Sequence, residues 1–557
     1  MKRIITLLIL TAMLTSALFG CTGQPAVTTD TEKVTETETD PVTTETEPVT
    51  TEEVTTEPET ETEPETTADP FPEPDENVLK AEPSTAFTVS RVFSDDMVVQ
   101  RNDYIRVWGF AGEDQNGKRV NAEFSGLTGA ALVEDGKWMI TLNGSLPENT
   151  EPQEFKVYGD GVEYVFKDVL VGDVYWMVGQ SNASYPVSVI KAEPRASQAG
   201  KRVGISNDDL IRLNLNTADE PSGLTVGTAE VNEDVPSKRG WKKPVQLANL
   251  FSALGYFTAK QLYDALEGKI PIGMIEFAYG GAALNAFCPN EICDKYKIDK
   301  LNTKKGIYEA PSVNNHPTRF IYNHYMYAFQ KYPICGIIWY QGESDCAQTL
   351  ASKYPERFAG LIEEYRNRHD LINHDYPVYI VEFPAIFMNF DYAAIRQYMG
   401  TLPNYVTNAH LCQSSDLWKD KTYENNLHPY VKWEQATRMT SIILADRYGV
   451  GDITYKEGPS IVSVEYAEDK TKITLKFRNV GDGLKAEGGE IKGLKVKYSA
   501  KWEDPVTAEI TGKDTIVITG AKTVKQIGYN TAMQDTFPET ITLCNSEGVP
   551  CNSFIIK

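Results

Sequence analysis

Four apolar runs, Val174–Val178, Ile272–Phe277, Ile334–Tyr340 and Val378–Phe383, recur with helix-forming stretches between them. Strands that are apolar along nearly their whole length have no solvent face, and such strands belong to parallel sheets covered by helices on both sides. This makes the middle of the chain α/β. Leu254, Phe257, Leu262 and Leu266 fall on one side of the stretch Leu250–Leu266, which reads as one covering helix. Val431 to Tyr448 reads as the last. On either side of this region the period changes to two. Ile105 with Val107, then Trp138, Ile140 and Leu142 after the Asp135-Gly136 turn, then Phe155 with Val157, alternate with other residues before it. After it, Ile473, Leu475 and Phe477, then Leu494, Val496 and Tyr498, then Ile516 and Ile518, do the same. Alternation with frequent turns predicts half-buried strands in small β-sandwiches. The expected domains are an N-terminal β-sandwich over 85–170, a parallel-sheet domain over 171–450 and a C-terminal β-sandwich over 451–557.

The N-terminus predicts export. Lys2 and Arg3 precede an apolar stretch, Ile4 to Phe19, which ends in Leu18-Phe19-Gly20-Cys21. Residues 1–21 are expected to be the signal peptide of a bacterial lipoprotein, with Cys21 lipidated. Residues 22–84 are mostly Thr, Glu, Pro and Val, too poor in apolar groups to offset the entropy of ordering them. They are expected to be a disordered tether that holds the body off the outer face of the cell membrane or cell surface, with a reach on the order of 200 Å when extended. Of the net charge of −24, about −17 falls on residues 22–76, so the folded part is only mildly acidic. That argues against electrostatic binding of nucleic acid or of an anionic membrane, and leaves the lipid on Cys21 as the expected membrane contact. The remaining cysteines are Cys288, Cys293, Cys335, Cys346, Cys412, Cys544 and Cys551. They are scattered without a metal-binding spacing. Cys288 with Cys293, and Cys544 with Cys551, are near enough to bridge in an exported protein, though buried free thiols are favoured.

The first apolar run ends in Gly179-Gln180-Ser181-Asn182. Open α/β sheets bind ligands beyond the carboxyl ends of their strands, so Ser181 is placed to act as a nucleophile if a base adjoins it. His428 is the expected base, because it lies between the last strand-like segment, Ala409 to Ser414, and the final helix. His316 is its rival, being likewise followed by proline. His369 and His374 sit in a polar stretch and are expected at the surface. An acyl-transfer oxyanion needs aimed donors. The Ser181 amide, the amides of Gly280 and Gly281 after the second run, and the Gln341 side chain after the third are the candidates.

The segments GDVYWMVGQSN, YGGAALNAF, IIWYQGESD and NLHPYVK resemble those of sialate O-acetylesterases and the related acetylxylan esterases of the SGNH hydrolase superfamily. VSRVFSDDMVVQR, at residues 89–101, resembles the entry to that family's N-terminal β-domain. The resemblance implies an SGNH, flavodoxin-like core flanked by β-sandwiches. The implied activity is hydrolysis of O-acetyl groups on sialic acid or plant polysaccharide, with no metal or cofactor. It also puts Ser181, Gly280 or Gly281, Gln341 and His428 on nucleophile, oxyanion and base positions. The chain departs from the superfamily where an aspartate often precedes the histidine, since Asn425 and Asn426 stand there. Asp416 is the first choice for a third member, with Glu343, Glu424 and Asn425 as alternatives, or Ser181 and His428 act as a dyad. Ala183, Ala282, Asn285 and Phe287 also replace the family's usual residues. Tyr185, Trp339 and Tyr340 are expected either to stack on sugar rings or to sit in the core. Arg202, Lys201 and Arg319 are the cations that a substrate carboxylate would call for. The competing reading is a surface lipoprotein that binds glycan on the same fold with little or no catalysis.

Overall fold

The computed structural model describes residues 71, 73–202, 205, 210–216, 230–236, 239–302, 307–309, 318–386, 392–419 and 427–557. The expectations for the signal peptide, Cys21, the tether as far as residue 70, His316, Glu424, Asn425 and Asn426 lie outside these residues.

The organising element is the strand β1, Glu163–Gly179, which is 17 residues long. Its first half pairs with Asn149–Tyr158 and Val98–Gln100 among the N-terminal strands. Its second half, Asp173–Gly179, lies at the heart of the central sheet. The expected boundary at residue 170 therefore falls within one continuous strand. The remaining parallel strands are β2 (Ile211–Leu215), β3 (Ile272–Ala278), β4 (Gly336–Tyr340), β5 (Val378–Val381) and β6 (Ala409–Cys412). Their spatial order is β2-β3-β1-β4-β5-β6, with the short strand Trp241–Lys242 antiparallel at the β2 edge. From β1 the chain passes to β2 and returns to β3 on one side, then crosses to β4 and grows outward to β6 on the other. The connections leaving β1 and β4 go opposite ways, so the topological switch point lies at the ends of these two strands.

Both faces are covered, which is why β3, β4 and β5 read as nearly continuous apolar runs. Every residue of β3, β4 and β5 is buried. Helix α1, Ala253–Ala265, begins at Ser252, whose hydroxyl accepts from the Gly255 amide at 3.0 Å. Gly255 brings α1 against Met177 of β1, and Phe257 of α1 meets Trp433 of α3, Lys432–Arg447, edge to face at 5.4 Å. On the opposite face, helix α2, Tyr354–His369, sets Phe358 against Trp339 and Tyr365 against Trp176.

Before the central sheet, Phe87–Val89, Arg106–Ala111 and Lys137–Thr141 form one antiparallel sheet, while Arg119–Phe124, Leu127–Leu132 and Asn149–Tyr158 extend the β1 side. The ordered body starts earlier than residue 85. Glu76–Lys80 is a helix N-capped by Asp75, and Pro83 bridges to Arg119. The acidic composition of residues 73–84 hid this, because the Asp75 side chain caps a helix instead of only repelling its neighbours. After α3, two four-stranded antiparallel sheets enclose a separate core. Ile473, Leu475, Phe477, Leu494, Val496, Ile516 and Ile518 all point into it.

Candidate active site

The end of β1 forces a glycine. Gly179 has φ of +154°, and a Cβ there would stand 2.1 Å from the Tyr340 carbonyl oxygen of β4. The backbone then turns, and Ser181 opens a single helical turn, Ser181–Ser184. His428 Nε2 and Ser181 Oγ are 2.7 Å apart. A hydroxyl and an imidazole at that distance can pass a proton between them. The Tyr185 ring lies nearly parallel to the His428 ring, with centroids 5.5 Å apart. Burial, and secondarily the nearby Lys432 ammonium, pull the His428 imidazole down to about 4. It is therefore neutral, and able to accept a proton, throughout the physiological range.

The glycine loop after β3 comes to the same place. A Cβ on Gly280 would stand 3.8 Å from the Ser181 Cβ. Gly281, with φ of +77°, uses the left-handed region that glycine enters without steric cost. Among the described residues, the amides of Ser181, Gly280 and Gly281 meet no acceptor. They are thus unspent donors beside the hydroxyl, as an oxyanion would require.

Gln341 does not join them. Its side-chain nitrogen donates to Asp345 Oδ2 at 2.7 Å, the Ala282 carbonyl at 3.1 Å and Gln180 Oε1 at 3.2 Å, while its oxygen accepts from the Tyr354 hydroxyl at 2.9 Å. The residue is fully buried, and its amide hydrogens have no remaining capacity for a substrate oxygen. Gln341 instead stitches the loops together. Gln180 Oε1 also accepts from the Gly342 and Ser344 amides, Ser344 Oγ donates to the Gly281 carbonyl, and Asp345 Oδ2 accepts from the Leu284 amide. The loop after β1, the glycine loop and the loop after β4 thus form one buried polar knot. The sequence offered Gln180 and Asp345 as motif letters, with no sign that they close this knot.

Asp416 is not the partner of His428 either. Its two carboxylate oxygens are taken by Arg438, at 2.6 and 2.7 Å. The Arg438 fork matches a carboxylate in two places at once, and the helix α3 that carries it was close enough to claim Asp416. Glu343 does not hydrogen-bond His428. It accepts from the Asn182 side-chain amide at 2.6 Å, and burial pushes it up to about 7. Asn182 also donates to the Leu427 carbonyl at 2.9 Å and accepts from Lys432 Nζ at 2.8 Å. Among the described residues, none hydrogen-bonds His428 Nδ1.

Other expectations resolve by burial. Trp339 and Tyr340 are wholly inside the core, whereas Tyr185 faces the imidazole. His369 is buried rather than exposed, its Nδ1 2.8 Å from the Tyr376 hydroxyl. The Arg319 guanidinium is held by Asp299, Asp294 and Asn290, so it does not face a substrate carboxylate, and Lys201 donates to the Pro194 carbonyl. Among the described residues, no group of three or more His, Cys, Asp or Glu side chains is placed to hold a metal ion.

Residues 171–433 match the family described as "carbohydrate esterase, sialic acid-specific acetylesterase". The sialate O-acetylesterases of Pongo abelii and Homo sapiens are each 21% identical to this chain over 429 residues, 70% of this chain and 76% of theirs. The crystal structure of a carbohydrate acetylesterase from Xanthomonas citri has the same fold. It aligns with a TM-score of 0.67 at 22% identity, over 85% of this chain and 100% of that one.

Proposed function

We propose that this carboxylic ester hydrolase, whose residues 171–433 match the carbohydrate esterase family of sialic acid-specific acetylesterases, removes O-acetyl groups from carbohydrate with Ser181 as nucleophile and His428 as base. The 2.7 Å contact between Ser181 Oγ and His428 Nε2 carries the reading. Ser181 Oγ attacks the acetyl carbon while His428 takes its proton. The carbonyl oxygen becomes an oxyanion facing the amides of Ser181 and of Gly280 or Gly281. As the tetrahedral centre collapses, His428 gives the proton to the departing sugar oxygen. A water, deprotonated by the same imidazole, then attacks the acetyl-serine, and acetate leaves. A neutral imidazole suits both halves, because it is a base before each attack and an acid after it.

In this reading the parallel sheet is an SGNH-type core with β-sandwiches on either side. The chain is an exported lipoprotein anchored through Cys21, and its partner is an O-acetylated glycan. The occupied state of Arg319 and Lys201 favours a broad carbohydrate O-acetylesterase over one built round a sialate carboxylate. Acetate release from 9-O-acetylated sialic acid and from acetylated xylan, measured side by side with Ser181→Ala as control, is the test. Release that vanishes in the variant is expected, with the xylan cleaved at least as well as the sialic acid. Release that persists in Ser181→Ala overturns the mechanism. A folded wild type that binds the glycans and releases no acetate moves the protein to the binding-protein reading.

A further inference from the structure

The polar cluster behind Ser181 and His428 is larger than their proton transfer needs. Lys432, on the first turn of α3, is fully buried, and Glu343 is only 4% exposed. Lys432 Nζ donates to Asn182 Oδ1 at 2.8 Å and lies 4.6 Å from the centre of the Tyr340 ring and 5.8 Å from that of Tyr185. The Asn182 amide spans from Glu343 Oε1 to the Leu427 carbonyl. Taking an ammonium and a carboxyl out of water is costly, and apolar residues of the same size are often as stable or more so. The cluster is thus an expensive way to fill space. Its covalent neighbours are telling: Asn182 follows Ser181, and Leu427 precedes His428.

We propose that Lys432 is a positioning residue of the hydrolytic site. With Glu343 it locks the Asn182 side chain, and Asn182 in turn grips the carbonyl just before His428, which sets Nε2 on Ser181 Oγ. The imidazole is then oriented through its backbone, where many serine hydrolases orient it through a carboxylate on Nδ1. The inference rests on the esterase reading above. Among the described residues, the groups that face His428 are the Ser181 hydroxyl, the Tyr185 ring and, through space, the Lys432 ammonium. That ammonium opposes protonation of the imidazole, so its removal has a signature beyond lost packing.

The experiment is steady-state hydrolysis of a chromogenic acetyl ester by the full chain and by Lys432→Met, Glu343→Gln, Glu343→Leu and Ser181→Ala. Misplacing a catalytic group by about 1 Å costs roughly 100-fold in rate, so Lys432→Met is expected to lose about that much kcat with KM little changed. Its kcat/KM profile should also rise at a higher pH than wild type, since the cation that holds the imidazole pKa down is gone. Glu343→Gln keeps an acceptor oxygen for Asn182 and should lose far less kcat than Glu343→Leu. Wild-type kcat and an unmoved acid limb in Lys432→Met, with Ser181→Ala inactive, remove the clamp and leave the esterase standing. Activity in Ser181→Ala removes the esterase mechanism beneath it. If Lys432→Met fails to fold, equal kcat in the two Glu343 variants overturns the proposal by itself.

Discussion

Ser181 and His428 come from positions 247 apart in the chain and meet at 2.7 Å. Each was legible alone: a serine at the end of an apolar run, and a histidine between the last such run and the last helix. Their third partner was not legible. Asp416 lies nearer in sequence to His428 than to Arg438, yet the Arg438 fork holds it. Sequence order carries no information about which side chains a helix turns toward a loop. The imidazole pKa of about 4 gives a prediction at this scale. The working form is neutral, so kcat/KM should rise with pH through about 4 and stay level toward neutrality. A pH–rate profile whose acid limb sits near 6.5, the ordinary histidine value of about 6.5, would contradict so enclosed a ring. Gln341 gives a second. Gln341→Ala leaves the Ala282 carbonyl without its donor and takes one donor each from Asp345 Oδ2 and Gln180 Oε1, and an unsatisfied buried group costs about 1–3 kcal/mol. Thermal unfolding should therefore show a lowered Tm for this variant, in contrast to a pure oxyanion donor, whose loss would slow turnover and leave Tm unchanged.

Among elements, the nearly continuous apolar strands β3, β4 and β5 were visible, because full burial on both faces leaves a run with few polar letters, Glu276 of β3 being the exception. Strand β2 was missed. It reads Ile211-Arg212-Leu213-Asn214-Leu215, which looks half exposed, yet every residue is buried. Arg212 survives there because its guanidinium reaches Asp168, at 3.1 Å, and a buried charge with a partner does not carry the penalty of a bare one. The junction between β1 and the Ser181 turn yields the prediction for this scale. In Gly179→Ala the new methyl carbon would meet the Tyr340 carbonyl at 2.1 Å, and the left-handed backbone adds strain. The β1–β4 edge must then separate. Loss of soluble folded protein, or a Tm several degrees down with activity lost, is expected from circular dichroism and assay together. A Gly179→Ala enzyme of full activity and stability would mean that the turn has another backbone solution.

At the scale of the molecule, the C-terminal sheets are fastened to the central sheet by buried polar groups. Arg396 donates to Asn530 Oδ1 at 2.5 Å and to the carbonyls of Ala532 and Met533. Glu382 accepts from the Ser553 amide and hydroxyl. His410, at the end of β6, lies 3.3 Å from Asp446 of α3 and 3.5 Å from Glu457 at the entry to the C-terminal sheets. Burial disfavours the charged ring, but its interactions with these two carboxylates outweigh burial and raise His410 to about 9. A raised folded pKa stabilises fully below the unfolded value and is lost as pH climbs through the folded one. This contribution should thus be whole below about 6.5 and fade as pH passes about 9. Scanning calorimetry from pH 6 to pH 10 should show wild type losing Tm more steeply than His410→Gln. Parallel curves would detach His410 from this role.

The sequence by itself determined the α/β class, the alternating strands on either side and the serine and histidine that the fold brings to 2.7 Å. Period and burial are local properties, and a residue's neighbours in the chain report them. Tertiary structure alone decided who bonds to whom: Gln341 as a knot in place of an oxyanion donor, Asp416 given to Arg438, and β1 running through two sheets as one strand. Hydrogen bonds between distant segments depend on ångström-level placement, and no spacing in the chain encodes that.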